Sequence, residues 1–271
     1  MNFDEYRAID AVNFSTLKHM AESPLHYQDA LKNARAVTDA MGVGTAEHCM
    51  ILEPDQFPPR YVVWTGGRRA GKEWDNFEAA NLDKTIIKQD EYQHCVEMRD
   101  AVMAHPAAGP IFSSGGEAEK TITWTDAETG IACKARIDWL CGSVIDLKTT
   151  KSANPRIFAA TAARYRYHAQ MAWYRWGVEC STGVLDYPCQ LVVVESARPF
   201  DVVVYTLDEL TLGAGLEECR GLLRRVAECR ASGKWPGRFD GETTLNLPNW
   251  AFNNDEDSAD ELGLIINGKA A

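Results

Sequence analysis

The order of apolar patterns along this 271-residue chain predicts an α/β fold, a β-sheet with helices on both sides. Three features carry the prediction. Helical signals dominate the chain as far as His105; three β-prone runs follow between Lys120 and Leu147; and beyond them come two helices, two more strands and a long amphipathic helix.

Asn13-Phe14-Ser15 predicts a capped short helix through Met20, because an Asn side chain accepts from the first free helical N–H groups. Val43 to Leu52 and Gln89 to His105 predict two further helices. The first strands are expected at Lys120 to Thr125 and Ile131 to Leu140, joined by a turn over Asp126 to Gly130. Cys141-Gly142 then makes a tight turn into a third strand, Ser143 to Leu147. Helices are expected at Asn154 to Ala163 and Tyr165 to Trp176. Strands Cys189 to Glu195 and Asp201 to Thr206, separated by Ala197-Arg198-Pro199, precede a helix from Leu207 to Ala231. Residues 253 to 261 are acidic and poor in apolar side chains, so one domain over residues 1–252 and a flexible tail over 253–271 are expected.

A hydrophobic content of 45% supports a full core. No apolar run approaches the ~20 residues of a membrane helix, and the N-terminus lacks the basic start and apolar stretch of a signal peptide, so no membrane partner and a cytoplasmic location are expected. The eight cysteines form no Cys-X-X-Cys pair, which favours reduced structural thiols over a zinc or iron–sulfur site. A net charge of −11 argues superficially against nucleic acid, but charge is local. Basic residues cluster at Arg68-Arg69-Ala-Gly-Lys72, at Lys148 to Arg156 and at Arg164 to Arg175; each taken singly reads first as a solvated face, though a groove could gather them against phosphate.

The third strand carries the chemistry. Asp146 and Lys148 are two residues apart, so a strand's period of two turns both to one face and Leu147 to the other. The preceding strand brings Asp138. Carboxylate oxygens are the ligands that Mg²⁺ and Mn²⁺ prefer, and an ammonium beside them orients water or offsets phosphate charge, so the pattern points to a metal-dependent nuclease core. Alone, Asp-X-Lys is more often a solvated, salt-bridged strand. Its placement in the apolar run Val144, Ile145, Leu147 argues otherwise, because buried charge is costly unless paired or bound to metal. Tyr167, Gln170 and Tyr174 share one helical stripe, where an amide among aromatics needs partners.

Five segments in order, Gly44-Thr-Ala-Glu-His48, Glu119 before Trp124, Arg136-Ile-Asp138, Asp146-Leu-Lys148-Thr-Thr150 and Tyr167-His-Ala-Gln170-Met-Ala-Trp-Tyr174, resemble the PD-(D/E)XK nuclease superfamily. Within it the chain is similar to the RecE-like (exonuclease VIII) prophage exonucleases and, more distantly, to lambda exonuclease. The likeness begins at Phe14-Ser15, includes Arg68 to Lys72 and reaches Trp235-Pro236. It implies a restriction-endonuclease-like core, a central mixed β-sheet flanked by helices, with extra N-terminal helices.

The same resemblance implies Mg²⁺, with Mn²⁺ as substitute, held by Asp138, Asp146, the Leu147 carbonyl, Glu119 and His48, with Lys148 positioning or activating water. Glu119 is preferred over Glu117 because alternation through Thr121 and Thr123 keeps it on a strand face. Gln170 and Tyr174 would flank the DNA end, Ser15 and Arg136 would touch a 5′ phosphate, and Arg68, Arg69 and Lys72 would contact the duplex. The implied activity is 5′→3′ degradation of one strand of linear double-stranded DNA, leaving 3′ overhangs for recombination. The implied assembly is a toroidal homo-oligomer, tetramer rather than trimer, working with a single-strand annealing recombinase in a bacterial or phage-infected cell. The rivals are another nuclease of the superfamily, of the CRISPR-adaptation or helicase-associated type, and a non-catalytic DNA-end-binding module.

Overall fold

In the computed structural model the described residues are 1, 3–33, 39–239, 241–248 and 251; the acidic tail assigned to 253–271 lies outside them. Short helices come first. These are α1 (Phe3–Ala8), α2 (Phe14–Leu17) continued by a 3₁₀ turn over 18–21, α3 (Pro24–Lys32) and α4 (Asp39–Leu52). Asn13 caps α2 as expected, its side chain accepting from the Thr16 N–H at 2.9 Å. Ser23 does the same for α3, with Pro24 pre-set for the first helical turn.

A small peripheral unit follows: α5 (Phe57–Arg60), β1 (Tyr61–Trp64), α6 (Lys72–Ala79) and β2 (Thr85–Lys88), with β1 and β2 paired in parallel. Next are α7 (Gln89–Ala104) and α8 (Ala108–Ser113), then the meander β3 (Glu117–Thr125), β4 (Ala132–Leu140) and β5 (Val144–Thr150). The chain closes with α9 (Pro155–Tyr165), α10 (Tyr167–Thr182), β6 (Cys189–Glu195), β7 (Val202–Thr206) and α11 (Glu209–Ser232).

The main sheet has the order β3-β4-β5-β6-β7. Only β5 and β6 run parallel, their ladder extending from Val144 opposite Cys189 to Thr150 opposite Glu195, so the sheet is mixed. A parallel neighbour needs a crossover, and α9–α10 supply it. Each face of the sheet is buried. Val144, Leu191 and Val193 pack into the core that includes residues of α2, α10 and α11; Ile145, Leu147, Val192 and Val194 pack against α7, α8 and the end of α4. β5 therefore lies covered on both faces, which is why its first four residues, Asp146 included, are all buried.

Several expected boundaries move. β5 runs to Thr150 rather than stopping at Leu147, so Lys148 sits within the strand. The helix expected over Tyr165 to Trp176 is interrupted at Arg166, which adopts a left-handed conformation (φ 60°), and a new helix continues to Thr182. Segments of four to nine residues such as α1, α3, α5, β1, α6, β2 and α8 were not anticipated, because so few residues cannot display a period.

The strand alternation is also broken at Glu119. Its φ is 52°, and it alone of the residues from Glu117 to Thr125 is skipped in the ladder with β4. Ala118 packs on the α7–α8 side while Ile122 and Trp124, of the same parity, pack on the α10–α11 side. A uniform alternation through Glu119, Thr121 and Thr123 is thus replaced by a local kink, in register with Asp138 on the neighbouring strand.

Candidate active site

Asp146 and Lys148 are in step with Val144, so both face the α10 side of β5. Asp146 is 1% exposed and is ion-paired with the Lys148 ammonium; beyond that ammonium neither carboxylate oxygen has a hydrogen-bond partner. The Lys148 Nζ also lies 4.8 Å from the centre of the Tyr167 ring at the start of α10. Burial works against the lysine charge, but Asp146 and Asp138 outweigh it and the ammonium is held above its ordinary range. Lys148 is therefore a donor and a positive charge at neutral pH.

Asp138, on β4, accepts from the Leu147 N–H at 2.8 Å through Oδ2, and the same oxygen lies 3.9 Å from Nδ1 of His48 on α4. Burial, then the charge of Asp146, holds the Asp138 carboxyl well above the usual carboxylate range, with Glu119 adding and Lys148 and the Leu147 N–H opposing. Two acids in a dry site resist joint ionisation until a cation offsets them. His48 shows the complementary shift: burial first, then Lys148, pushes its imidazole down to about 4 against the opposing pull of Asp146. The ring is neutral at pH 7 and keeps a lone pair.

Glu119 is placed by its kinked backbone beside Arg136, whose Nε it binds in a close ion pair. The Arg136 guanidinium lies over the rings of Phe3 and Tyr6 on α1, at 5.5 and 6.0 Å, and its Nη1 is buried without a hydrogen-bond partner. Glu117 instead pairs with Lys120 at 2.6 Å and points to solvent. On α10, Gln170 Nε2 donates to the Tyr174 hydroxyl at 2.8 Å. Burial, then the charges of Asp146 and Asp138, hold that hydroxyl protonated.

Contacts and charges link the predicted residues of β4, β5, α4 and β3: His48 reaches Asp138, Asp146 pairs with Lys148, and the charges of Asp146, Lys148 and Glu119 act on Asp138. Tyr174 is within electrostatic reach, Gln170 is joined to it, and Arg136 is joined through Glu119. Ser15 and the Arg68 to Lys72 loop are not drawn in by any hydrogen bond or ion pair among the described residues. Ser15 Oγ donates to Asn13 Oδ1 at 3.1 Å beside the α2 cap. Arg69 donates to the Ile86 carbonyl at 2.7 Å and covers the Trp74 ring, while Arg68 and Lys72 are exposed.

The structure adds a residue pair that pattern reading passed over. Glu47, next to His48 and buried, meets His94 Nε2 of α7 at 3.2 Å and so locks α4 against α7. A single acid in a helix carries no signature of such a partner; only the packing of the two helices creates it.

Among the described residues, no group of three His, Cys, Asp or Glu side chains stands close enough together to hold a metal ion as the side chains lie. The donor chemistry nevertheless suits a hard divalent cation. Asp146 presents buried oxygens that only an ammonium offsets, Asp138 is a second oxygen donor whose ionisation a cation would favour, and His48 is a neutral imidazole.

Residues 13–244 match the model of a family described as a PDDEXK-like domain of unknown function (DUF3799). The chain belongs to this family. It is accordingly a member of the PD-(D/E)XK nuclease superfamily. No curated protein matches the sequence. Among solved structures, a Eubacterium rectale protein described as a "putative exonuclease" is similar in fold, with a TM-score of 0.65 over 94% of this chain and 98% of that one at 12% identity. A phage-related exonuclease from Haemophilus somnus 129PT also aligns, over 82% of this chain and 96% of that one at 12% identity, with a TM-score of 0.37 that is too low to weigh. In this fold the neighbouring strands β4 and β5 carry Asp138 and Asp146, while His48 lies on α4 and Gln170 on α10.

Proposed function

We propose that this PDDEXK-like protein is a Mg²⁺-dependent exonuclease that degrades one strand of linear double-stranded DNA in the 5′→3′ direction, leaving 3′ single-stranded overhangs for homologous recombination. The observation that carries this reading is the juxtaposition of Asp138, Asp146 and a charged Lys148 with a neutral His48 on a buried strand pair. Asp138, Asp146, the Leu147 carbonyl, His48 and Glu119 would hold the ion. Bound there, Mg²⁺ supplies Lewis-acid stabilisation of phosphate charge and a more acidic water, and Mn²⁺ substitutes.

The chain's own groups do the rest. Lys148 hydrogen-bonds the attacking water or a phosphate oxygen, positioning or activating the water. Gln170 and Tyr174 line the α10 side, where amide and hydroxyl hold the DNA end. Arg136 binds the 5′ phosphate by exchanging part of its bond to Glu119, and Ser15 assists from the start of α2. Arg68, Arg69 and Lys72 contact the duplex from the peripheral unit through counterion release. The assembly is a toroidal homo-oligomer, a tetramer rather than a trimer, acting with a single-strand annealing protein in the cytoplasm of a bacterial or phage-infected cell. Light scattering on the purified protein tests the assembly, and a monomer would overturn it.

Digestion tests the activity. A 5′-phosphorylated linear duplex should shorten with Mg²⁺ or Mn²⁺ and survive in chelator, releasing mononucleotides from the 5′ end. An intact duplex under both ions would remove the enzyme and leave a DNA-end-binding module. Equal cutting of a closed circle would point to another nuclease of the superfamily.

A further inference from the structure

In an unbroken helix, side chains two positions apart point to opposite sides and their rings cannot meet. Tyr165 and Tyr167 meet: their ring centroids are 5.8 Å apart and their planes differ by 21°. The left-handed Arg166 between them makes this possible, ending α9 at Tyr165 and starting α10 at Tyr167. A non-glycine residue holds that conformation only where its surroundings require it, and here the Arg166 side chain is anchored on Glu218 of α11.

The pair ends a row of rings. Tyr205 stacks on Phe158 at 5.2 Å, Phe158 lies 6.1 Å from Tyr167, and Tyr167 lies against Tyr165. Tyr205 and Phe158 belong to the packed interior or its edge, whereas Tyr165 is 52% exposed, with the Arg164 guanidinium 5.8 Å over its ring. The row also touches the chemistry, since the Tyr167 ring that carries Tyr165 is the one beneath Lys148.

We infer that Tyr165 and Arg164 form a stacking site for an unpaired nucleobase of the strand being cut, one ring away from the catalytic lysine. A flat base slipping between guanidinium and phenol gains aromatic and cation–π contacts on its two faces whatever its sequence, which is how single strands are held without base readout. A stack there brings an unpaired 5′ end toward Lys148. This rests on the nuclease reading above, in which one strand of the duplex is degraded from its 5′ end.

The test uses full-length protein carrying Asp146→Asn to prevent cleavage, and a duplex with an unpaired 5′ end bearing 2-aminopurine. The Asp146→Asn protein should quench the probe. Adding Tyr165→Ala should abolish the quench and weaken binding about tenfold, within the range that loss of one base–aromatic stack produces, and Tyr165→Trp should restore both. Tyr165 is half exposed, so the thermal midpoint should not move and binding loss cannot be ascribed to unfolding. Undiminished quenching and affinity with Tyr165→Ala would overturn the stacking site. A wild-type protein that quenches in a Tyr165-dependent manner yet cuts no duplex with Mg²⁺ or Mn²⁺ would sink the nuclease reading and keep the stacking site.

Discussion

Asp146 combines almost complete burial with a carboxylate paired to Lys148, and burying such a pair costs stability that a well-packed apolar pair would not. Replacing Lys148 by Ala should lower the cleavage rate on the order of 10²–10⁴-fold, the usual worth of a positioned proton-transfer or charge-stabilising group, with an unchanged circular dichroism spectrum. Asp146→Asn, nearly the same shape, should be at least as damaging. Activity retained in either variant would place the site elsewhere. The face shared by Asp146 and Lys148 was legible in the sequence, because a strand's period of two is rigid. The position of Glu119 was legible only in part: its kinked backbone and its pairing with Arg136 arise from contacts between β3, β4 and α1 that no local pattern encodes.

At the scale of elements, α10 is the part that couples packing to the site. It touches α11 at Gly215, where an added Cβ would lie 2.6 Å from the His168 carbonyl oxygen and 2.9 Å from the Ala169 Cα. Both are backbone atoms and cannot turn aside. Gly215→Ala should therefore cost about 1–3 kcal/mol in urea unfolding, and it should reduce cleavage by displacing Tyr167 and Gln170. An unchanged midpoint would mean that the helices separate freely.

The same helix carries a pH dependence. Burial, then the Arg166 charge, hold the His168 imidazole below its ordinary range. The unfolded chain consequently takes up a proton first as the pH drops below about 6.5, and stability falls across the window down to the lowered folded value. His168→Gln should flatten that slope below about pH 6.5, whereas parallel stability curves for the two proteins would contradict the assignment. A break between two helices near Arg164 was legible in the sequence, but its exact place and form were not: Arg164-Tyr-Arg-Tyr167 contains neither Gly nor Pro, and the left-handed turn at Arg166 is held by the anchor on α11 and by the ring row below it.

On the scale of the whole molecule, the net charge of −11 works against binding a polyanion, and part of it sits at the C-terminal end of the sequence. Asp255, Glu256, Asp257, Asp260 and Glu261 lie in residues 253–271 against the single Lys269. A chain ending at residue 252 should unfold at the same temperature and bind duplex more tightly at low salt, the difference fading above ~0.15 M as charges are screened. Fluorescence anisotropy over a salt series measures this; loss of cooperative unfolding would show that the segment belongs to the domain.

The sequence by itself determined the sheet-and-helix class, the strand carrying Asp146 and Lys148, and the acids and histidine to look for, because hydrophobic periodicity and residue chemistry are local properties of the chain. Only the tertiary structure decided that β5 and β6 lie parallel, that both faces of β5 are covered, and that Asp138 meets His48 and Leu147. It alone set Glu119 against Arg136 and Tyr165 on Tyr167. These contacts join residues through strand register, helix packing and left-handed kinks, and their energies exist only once distant segments have been brought together.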